Sequence, residues 1–189
     1  MTYTNTAAVR TYLDISGSGD DDLIDTLIAA AQAAIDSHCH RTFEASADST
    51  KYFDFSSEFV DGDTLWLDDE ICSITTVTNG DGVAVSSSEY TTIPRNADRY
   101  FGIRILSNSG KYWTYTDEWM DAIEVTGKWA WSTEAPNDVA QACKRLAAFY
   151  YKQRDQQMFD VTAIEAGTVL APVGVPADVR RILAPFVKP

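Results

Sequence analysis

His38-Cys39-His40 is the one dense group of metal-seeking side chains in the sequence. Residues two apart on a helix point about 200° away from each other, so the two histidines could share a metal only past a helix end. Cys72 and Cys143 lie far off in sequence. With fewer than four ligands in view, the trio reads as a helix C-terminus whose polar side chains meet the last carbonyls. Asp20, Asp21 and Asp22 form a carboxylate triplet but lack the interleaved carbonyl and glutamate spacing of a calcium loop. They sit where an N-cap and a first helical turn favour acids. Gly17-Ser-Gly19 runs into that triplet, which would repel a phosphate rather than cradle it. A Walker loop, a nucleophile-elbow serine and a His-Glu-x-x-His zinc helix are absent from the sequence. Trp113, Tyr115 and Trp119 could stack a sugar, but such a cluster more often makes a subunit contact or packs across strands. No catalytic residue, metal or cofactor is expected.

The elements that must position these residues follow from periodicity. A short helix is predicted from Thr4 or Asn5 to Leu13 and is broken by Ser16-Gly-Ser-Gly19. After the aspartates, Leu23, Ile24, Leu27, Ile28, Ala31, Ala34 and Ile35 recur at helical spacing, so this helix buries one face. From Lys51 the period shifts toward two. Tyr52–Phe55, Leu65–Leu67, Ile71–Val77, Ile103–Ile105 and Ala122–Trp131 read as strands, and Asn79-Gly-Asp-Gly82 as a hairpin turn. In the last strand Ile123, Val125, Gly127, Trp129 and Trp131 alternate with largely polar neighbours, the pattern of an antiparallel sheet with one solvated side. Pro136 opens a second long helix at or near its first position. There Val139, Cys143, Leu146 and Tyr150 mark the buried stripe, and Gln141, Arg145, Lys152 and Gln156 the opposite face. Past Asp155, Gly167, Pro172, Gly174 and Pro176 punctuate a tether. A last short helix, Ala177 to Phe186, places Val179, Ile182, Leu183 and Phe186 on its apolar side with Arg180 and Arg181 beside them.

Composition narrows the class. With 189 residues, 45% hydrophobic and 12% aromatic, the chain can bury a substantial core. No apolar run approaches the roughly 20 residues of a membrane span, and no secretory signal is read at Met1-Thr-Tyr-Thr. Three widely spaced cysteines fit a reduced intracellular chain. A formal net charge of −13 argues against binding nucleic acid through its phosphates. The charge is uneven: residues 1–135 sum to −15 and residues 136–189 to +2. The asymmetry fits either two surfaces with different partners or helices that simply carry more Lys and Arg than acidic loops do.

Five segments, taken in order, carry a resemblance. They are Asp22-Leu-Ile-Asp-Thr-Leu-Ile28, Ile35-Asp-Ser-His-Cys-His-Arg-Thr-Phe43, Val125-Thr-Gly-Lys-Trp129, Pro136-Asn-Asp-Val-Ala-Gln-Ala142 and Pro176-Ala-Asp-Val-Arg-Arg-Ile-Leu-Ala-Pro185. Their order and spacing resemble the head–tail connector proteins (adaptor or head-completion proteins) of long-tailed bacteriophages. The resemblance implies a structural virion protein of the neck, assembled in the host cytoplasm. Its ring, often of twelve copies, lies beneath the portal, extends the DNA channel, and offers its lower surface to a stopper or tail-completion protein. Genomic DNA passes without specific binding, and no membrane is involved.

The fold expected is α+β, a small bundle of two long helices and short terminal helices with an antiparallel β domain inserted between them. The helical core is assigned to 1–48 and 132–156, the β insertion to 49–131, and the C-terminal tether with its short helix to 157–189. Val179, Arg180, Arg181, Ile182, Leu183 and Phe186 are the candidate portal-binding residues. Trp113, Tyr115, Trp119, Arg145 and Lys152 are the candidate subunit or partner contacts. The acidic first 135 residues are expected to supply a channel wall that repels DNA. The alternative from another class is a small acidic carbohydrate-binding module or hydrolase using the Trp113–Trp119 region, which would show as a concave cleft with convergent carboxylates.

Overall fold

A computed structural model of the chain describes residues 2–45, 47–156, 162–163, 169–170 and 174–188. Much of the expected tether from Gln157 onward thus lies outside the described residues. The architecture is α+β, with four α-helices and antiparallel sheets, and the residues fall into two compact units. One comprises 1–41 with 135–189, the other 42–134.

The first unit is mainly helical. α1 spans Thr6–Leu13, and the Asn5 side chain caps it by accepting from the Ala8 amide at 2.9 Å. α2 spans Asp21–Cys39 and buries Ile24, Ile28, Ala31, Ile35 and Cys39, while Leu23, Leu27 and Ala34 are half-buried at the stripe's edge. Asp20 occupies the N-cap position without capping through its side chain. Its backbone is turned out of the extended region, and its carboxylate accepts the Tyr151 hydroxyl instead. His40 ends α2 in the left-handed conformation with φ 53°, its amide returning to the Asp36 carbonyl. The Tyr3 hydroxyl donates to Asp36 Oδ1 at 2.5 Å and ties the N-terminus to the end of α2. Burial raises the Asp36 carboxyl above its ordinary range, with the Tyr3 hydrogen bond opposing.

α3, Asn137–Gln156, begins one residue after Pro136, whose carbonyl accepts the first helical bond from Ala140. It packs against α1, α2 and α4, which is why Ala142 and Ala148 are buried along with Val139, Cys143, Leu146 and Ala147. A helix covered on several sides needs small residues where backbones approach. α4, Ala177–Leu183, runs into a 3₁₀ turn at Ala184–Phe186, and the Lys188 amide donates to the Cys39 carbonyl at 3.0 Å. β8, Thr162–Ala163, pairs antiparallel with β9, Val169–Leu170.

Burial pushes the Cys39 thiol up to about 11 and the Cys143 thiol up to about 12. Cys72, in the second unit, is half-buried, and burial raises its thiol too. We therefore expect iodoacetamide at pH 8 to label Cys72 first, with Cys39 and Cys143 modified only after denaturation, as read by peptide mass mapping. Labelling of all three at one rate would mean that the helical unit opens as readily as Cys72 is reached.

The second unit is two antiparallel sheets sharing one core. β1 (Ser49–Phe53), β7 (Ile123–Lys128) and β4 (Ser73–Thr78) form a three-stranded sheet in the order β1-β7-β4. β2 (Val60–Asp61), β3 (Thr64–Ile71), β6 (Tyr100–Ile105) and β5 (Tyr90–Ile93) form a four-stranded one in the order β2-β3-β6-β5. The chain passes from β3 to β4 with only Cys72 between them, so the expected strand Ile71–Val77 is a corner joining the two sheets. Phe53, Leu65, Ile71, Val77, Ile103, Ile105, Ile123 and Val125 come from both sheets into a single cluster. The last strand ends at Lys128 rather than Trp131. Trp129 and Ala130 are both buried, which breaks the two-residue alternation, and the Trp131 amide donates to the Thr42 carbonyl at 2.9 Å. That bond, with a parallel bridge between Glu44 and Ser132, sets the two ends of this unit side by side.

Candidate interaction surfaces

In the β unit the expected aromatic contact residues separate by depth. Trp113 is 4% exposed, and its indole N–H donates to the Asp63 carbonyl at 3.0 Å. It belongs to the core and presents no face to a partner. Tyr115 and Trp119 are 43% and 44% exposed and adjoin Tyr112 and Met120, also exposed. The Tyr115 ring lies 5.1 Å from that of Phe55, and the Phe55 amide donates to the Trp119 carbonyl at 2.7 Å. Glu118 accepts from the amides of Trp119 and Met120 at 2.9 and 3.3 Å, and Asp54 from that of Asp121 at 2.8 Å. The loop is thus fixed by its own acids while its apolar side chains face outward.

Asn79, a residue read from sequence only as a turn former, organises this surface. It is 4% exposed; its Oδ1 accepts from the Gly80 and Thr114 amides at 3.1 Å each, and its Nδ2 donates to the Tyr112 carbonyl at 2.9 Å. Its backbone amide donates to the Val83 carbonyl at 2.9 Å, closing the predicted Asn79–Gly82 hairpin, where Gly82 has φ 76°. One side chain therefore fastens the 112–115 segment to the hairpin. Asn79→Ala should cost about 2–3 kcal/mol, since it deletes three hydrogen bonds and strands buried partners. Urea unfolding reads the loss, and faster amide exchange at Thr114 shows that the segment has come loose. Unchanged exchange at Thr114 would refute the fastening role.

In the helical unit, Arg145 and Lys152 of α3 line a groove of about 200 Å³ together with Tyr12, Ala148, Phe149, Pro176, Asp178 and Val179. Arg145 Nη1 meets Asp178 Oδ2 at 2.9 Å, joining α4 to α3, and this hydrogen bond holds the Asp178 carboxyl below its usual range. Lys152 is exposed on the rim, and Lys144 lies 5.7 Å from the Tyr12 ring. Of the candidate portal-binding residues, Val179 and Leu183 are 1% and 0% exposed and are the residues that seat α4 on its own unit. Arg180 and Arg181 are exposed, and Ile182 and Phe186 half-buried.

Among the described residues no group of three or more His, Cys, Asp or Glu is placed to hold a metal ion, and no helix is long and apolar enough to cross a membrane. A second groove, lined by Arg10, Asp14 and the Ser16–Ser18 loop, also belongs to the helical unit. Tyr115 and Trp119 line neither groove, and of the nearby acids Glu118 and Asp54 are hydrogen-bonded to loop amides.

A family model described as head completion protein matches residues 2–188. No curated protein sequence matches significantly. Among solved structures, a chain from the neck of an empty gene transfer agent particle, computed with C6 symmetry, superposes with a TM-score of 0.61 at 17% identity. The alignment covers 96% of this chain and 88% of that one. A chain from the neck of the native particle, computed with C12 symmetry, gives 0.59 at 17% identity over 96% and 87% of the two chains. A chain from the virion of the native particle gives 0.54 at 19% over 96% and 88%. At these identities the likeness is one of fold.

Proposed function

The chain belongs to the head completion protein family, and from that premise we propose how it acts as a head–tail connector. The protein does structural work in a phage-like neck, and the family match over residues 2–188 is the observation that carries this. Copies assemble as a ring beneath the portal, extend the channel, and present the far side to a stopper or tail-completion protein. The likeness of fold to chains of necks computed with C6 and C12 symmetry supports the ring. We read residues 42–134 as a β insertion within a helical core, its ends held side by side by the Trp131–Thr42 bond. The portal-facing element is α4 with its approach, contacting through Arg180 and Arg181 and the partly exposed Ile182 and Phe186. The channel wall is acidic, because 28 acids against 15 bases give the chain a charge that repels phosphates and lets DNA slide. Its site of action is the virion neck, reached after assembly in the host cytoplasm.

The test is the mass of the protein alone and after mixing with portal rings, by light scattering on a sizing column. A ring, or a portal complex holding many copies, is the expected result. A monomer indifferent to portal rings would overturn the reading. The carbohydrate-binding alternative draws no support from the geometry, since Trp113 is buried and Tyr115 and Trp119 line neither of the two grooves described.

A further inference from the structure

A cyclic ring of more than two copies requires two different patches on each subunit, one complementary to the other. Two exposed features of this chain meet that requirement. The first is the loop Thr116–Asp121, in which every residue is exposed, Asp117, Glu118 and Asp121 carry negative charge, and Trp119 and Met120 stand outward at 44% and 51% exposure. The second is the α3–α4 groove, with an apolar floor of Tyr12, Ala148, Phe149 and Val179 and with Arg145 and Lys152 on its edge. We propose that the Thr116–Asp121 loop of one copy seats in the α3–α4 groove of the next, with Trp119 on the apolar floor and Asp117 and Glu118 facing Lys152 and Arg145.

Three observations support this pairing. The charges are opposite, in a protein whose bases are scarce: the groove edge carries two of only 15 Lys and Arg. Asp178 already meets Arg145, so Lys152 at the rim is the cation with which an incoming acid gains most. Preorganisation is the second observation. Glu118 and Asp54 hold the loop amides, and Phe55 holds the Trp119 carbonyl, so the backbone that carries Trp119 is anchored before any partner arrives. Little loop entropy is then lost on docking. The third is size: a groove of about 200 Å³ takes one or two side chains rather than a helix. Buried tryptophan and arginine are the residue types that most often dominate an interface.

The inference rests on the ring reading, and its test separates the two. Mixed ¹⁴N- and ¹⁵N-labelled copies are cross-linked with carbodiimide, alone at high concentration and in the presence of portal rings, and self-association is followed by sedimentation. The expected products join Lys152 of one copy to Asp117 or Glu118 of another. Lys152→Glu and Trp119→Ala should each weaken association at least tenfold without lowering the melting temperature, because both side chains are exposed. Pairing Asp117→Lys with Lys152→Glu should recover most of the loss. Oligomers that form as well in Lys152→Glu, or links confined to single copies, would overturn this contact and leave the ring intact. No oligomer under either condition would overturn both.

Discussion

Gly127→Ala should destabilise the β unit by about 3 kcal/mol, at the upper end of ordinary overpacking. β7 is the middle strand of its sheet, and Gly127 lies opposite Ser49 on β1 and Ile74 on β4. The β4–β7 register shifts between Ile74 and Thr76, so the two strands crowd together there. A Cβ on Gly127 would lie 2.1 Å from the Ser73 carbonyl oxygen, 2.8 Å from Ile71 Cδ1 and 3.1 Å from Ile74 Cα. The first neighbour is backbone, held beside the corner bond from the Cys72 amide to the Lys128 carbonyl, and cannot swing aside as a side chain would. The modest gain from replacing glycine in a strand, under about 1 kcal/mol, does not offset that clash. For a chain of this size each kcal/mol corresponds to about 2–4 °C, so the transition should fall by about 6–12 °C. Gly19→Ala is the control: nothing lies within 4 Å of its built Cβ, and it should change stability by less than about 0.5 kcal/mol. Calorimetry of the two variants decides the matter. A Gly127→Ala loss below about 1 kcal/mol would show that β4 yields.

Elements with one-sided burial were legible in the sequence. The α2 stripe and the β7 alternation from Ile123 to Gly127 appear at the residues expected, because each packs a single face on a core and each periodicity is undisturbed over several turns or pairs. The Asn79–Gly82 turn was legible through local chemistry. β5 was not: all four of its residues are half-buried, so an edge strand left no alternation to find. Trp113 and Tyr115 stand two apart and look alike in sequence, yet one is core and the other surface, because depth there is set by Asp63 and Asn79, both far off along the chain. The amphipathic stripe of α4 was real, but an apolar face has the same pattern whether it seats on its own unit or on a partner. Val179 and Leu183 do the former. Arg145, on the face of α3 opposite the stripe, was expected as a subunit or partner contact, and the sequence gives no sign of Asp178, which meets it from α4, 33 residues away.

The second large effect belongs to a charge that sequence reading passed over. Glu70 on β3 has a side chain 1% exposed, with Arg99 Nε 3.3 Å from its Oε2. The Arg99 guanidinium carbon lies 3.3 Å from the centroid of the Trp131 ring, so one cation joins a buried carboxylate to the aromatic residue at the unit's exit. Removing one partner of such a pair costs more than the pair contributes, because the remaining charge stays buried. Arg99→Ala should therefore cost about 3 kcal/mol, the low end of the range for buried pairs, since Arg99 itself is 31% exposed. Arg99→Lys should lose about 1–2 kcal/mol, because a compact ammonium keeps the charge but not the flat stack on Trp131. Combining Arg99→Ala with Glu70→Leu should recover part of the loss, as the double variant buries no carboxylate. Guanidinium unfolding of the unaltered protein, Arg99→Ala, Glu70→Leu and the double variant yields the coupling energy. A double variant no more stable than Arg99→Ala would show that Arg99 acts through Trp131 rather than Glu70. Should the recovery appear, the pair is a fastening between β3 and the segment where the β unit returns to the rest of the chain.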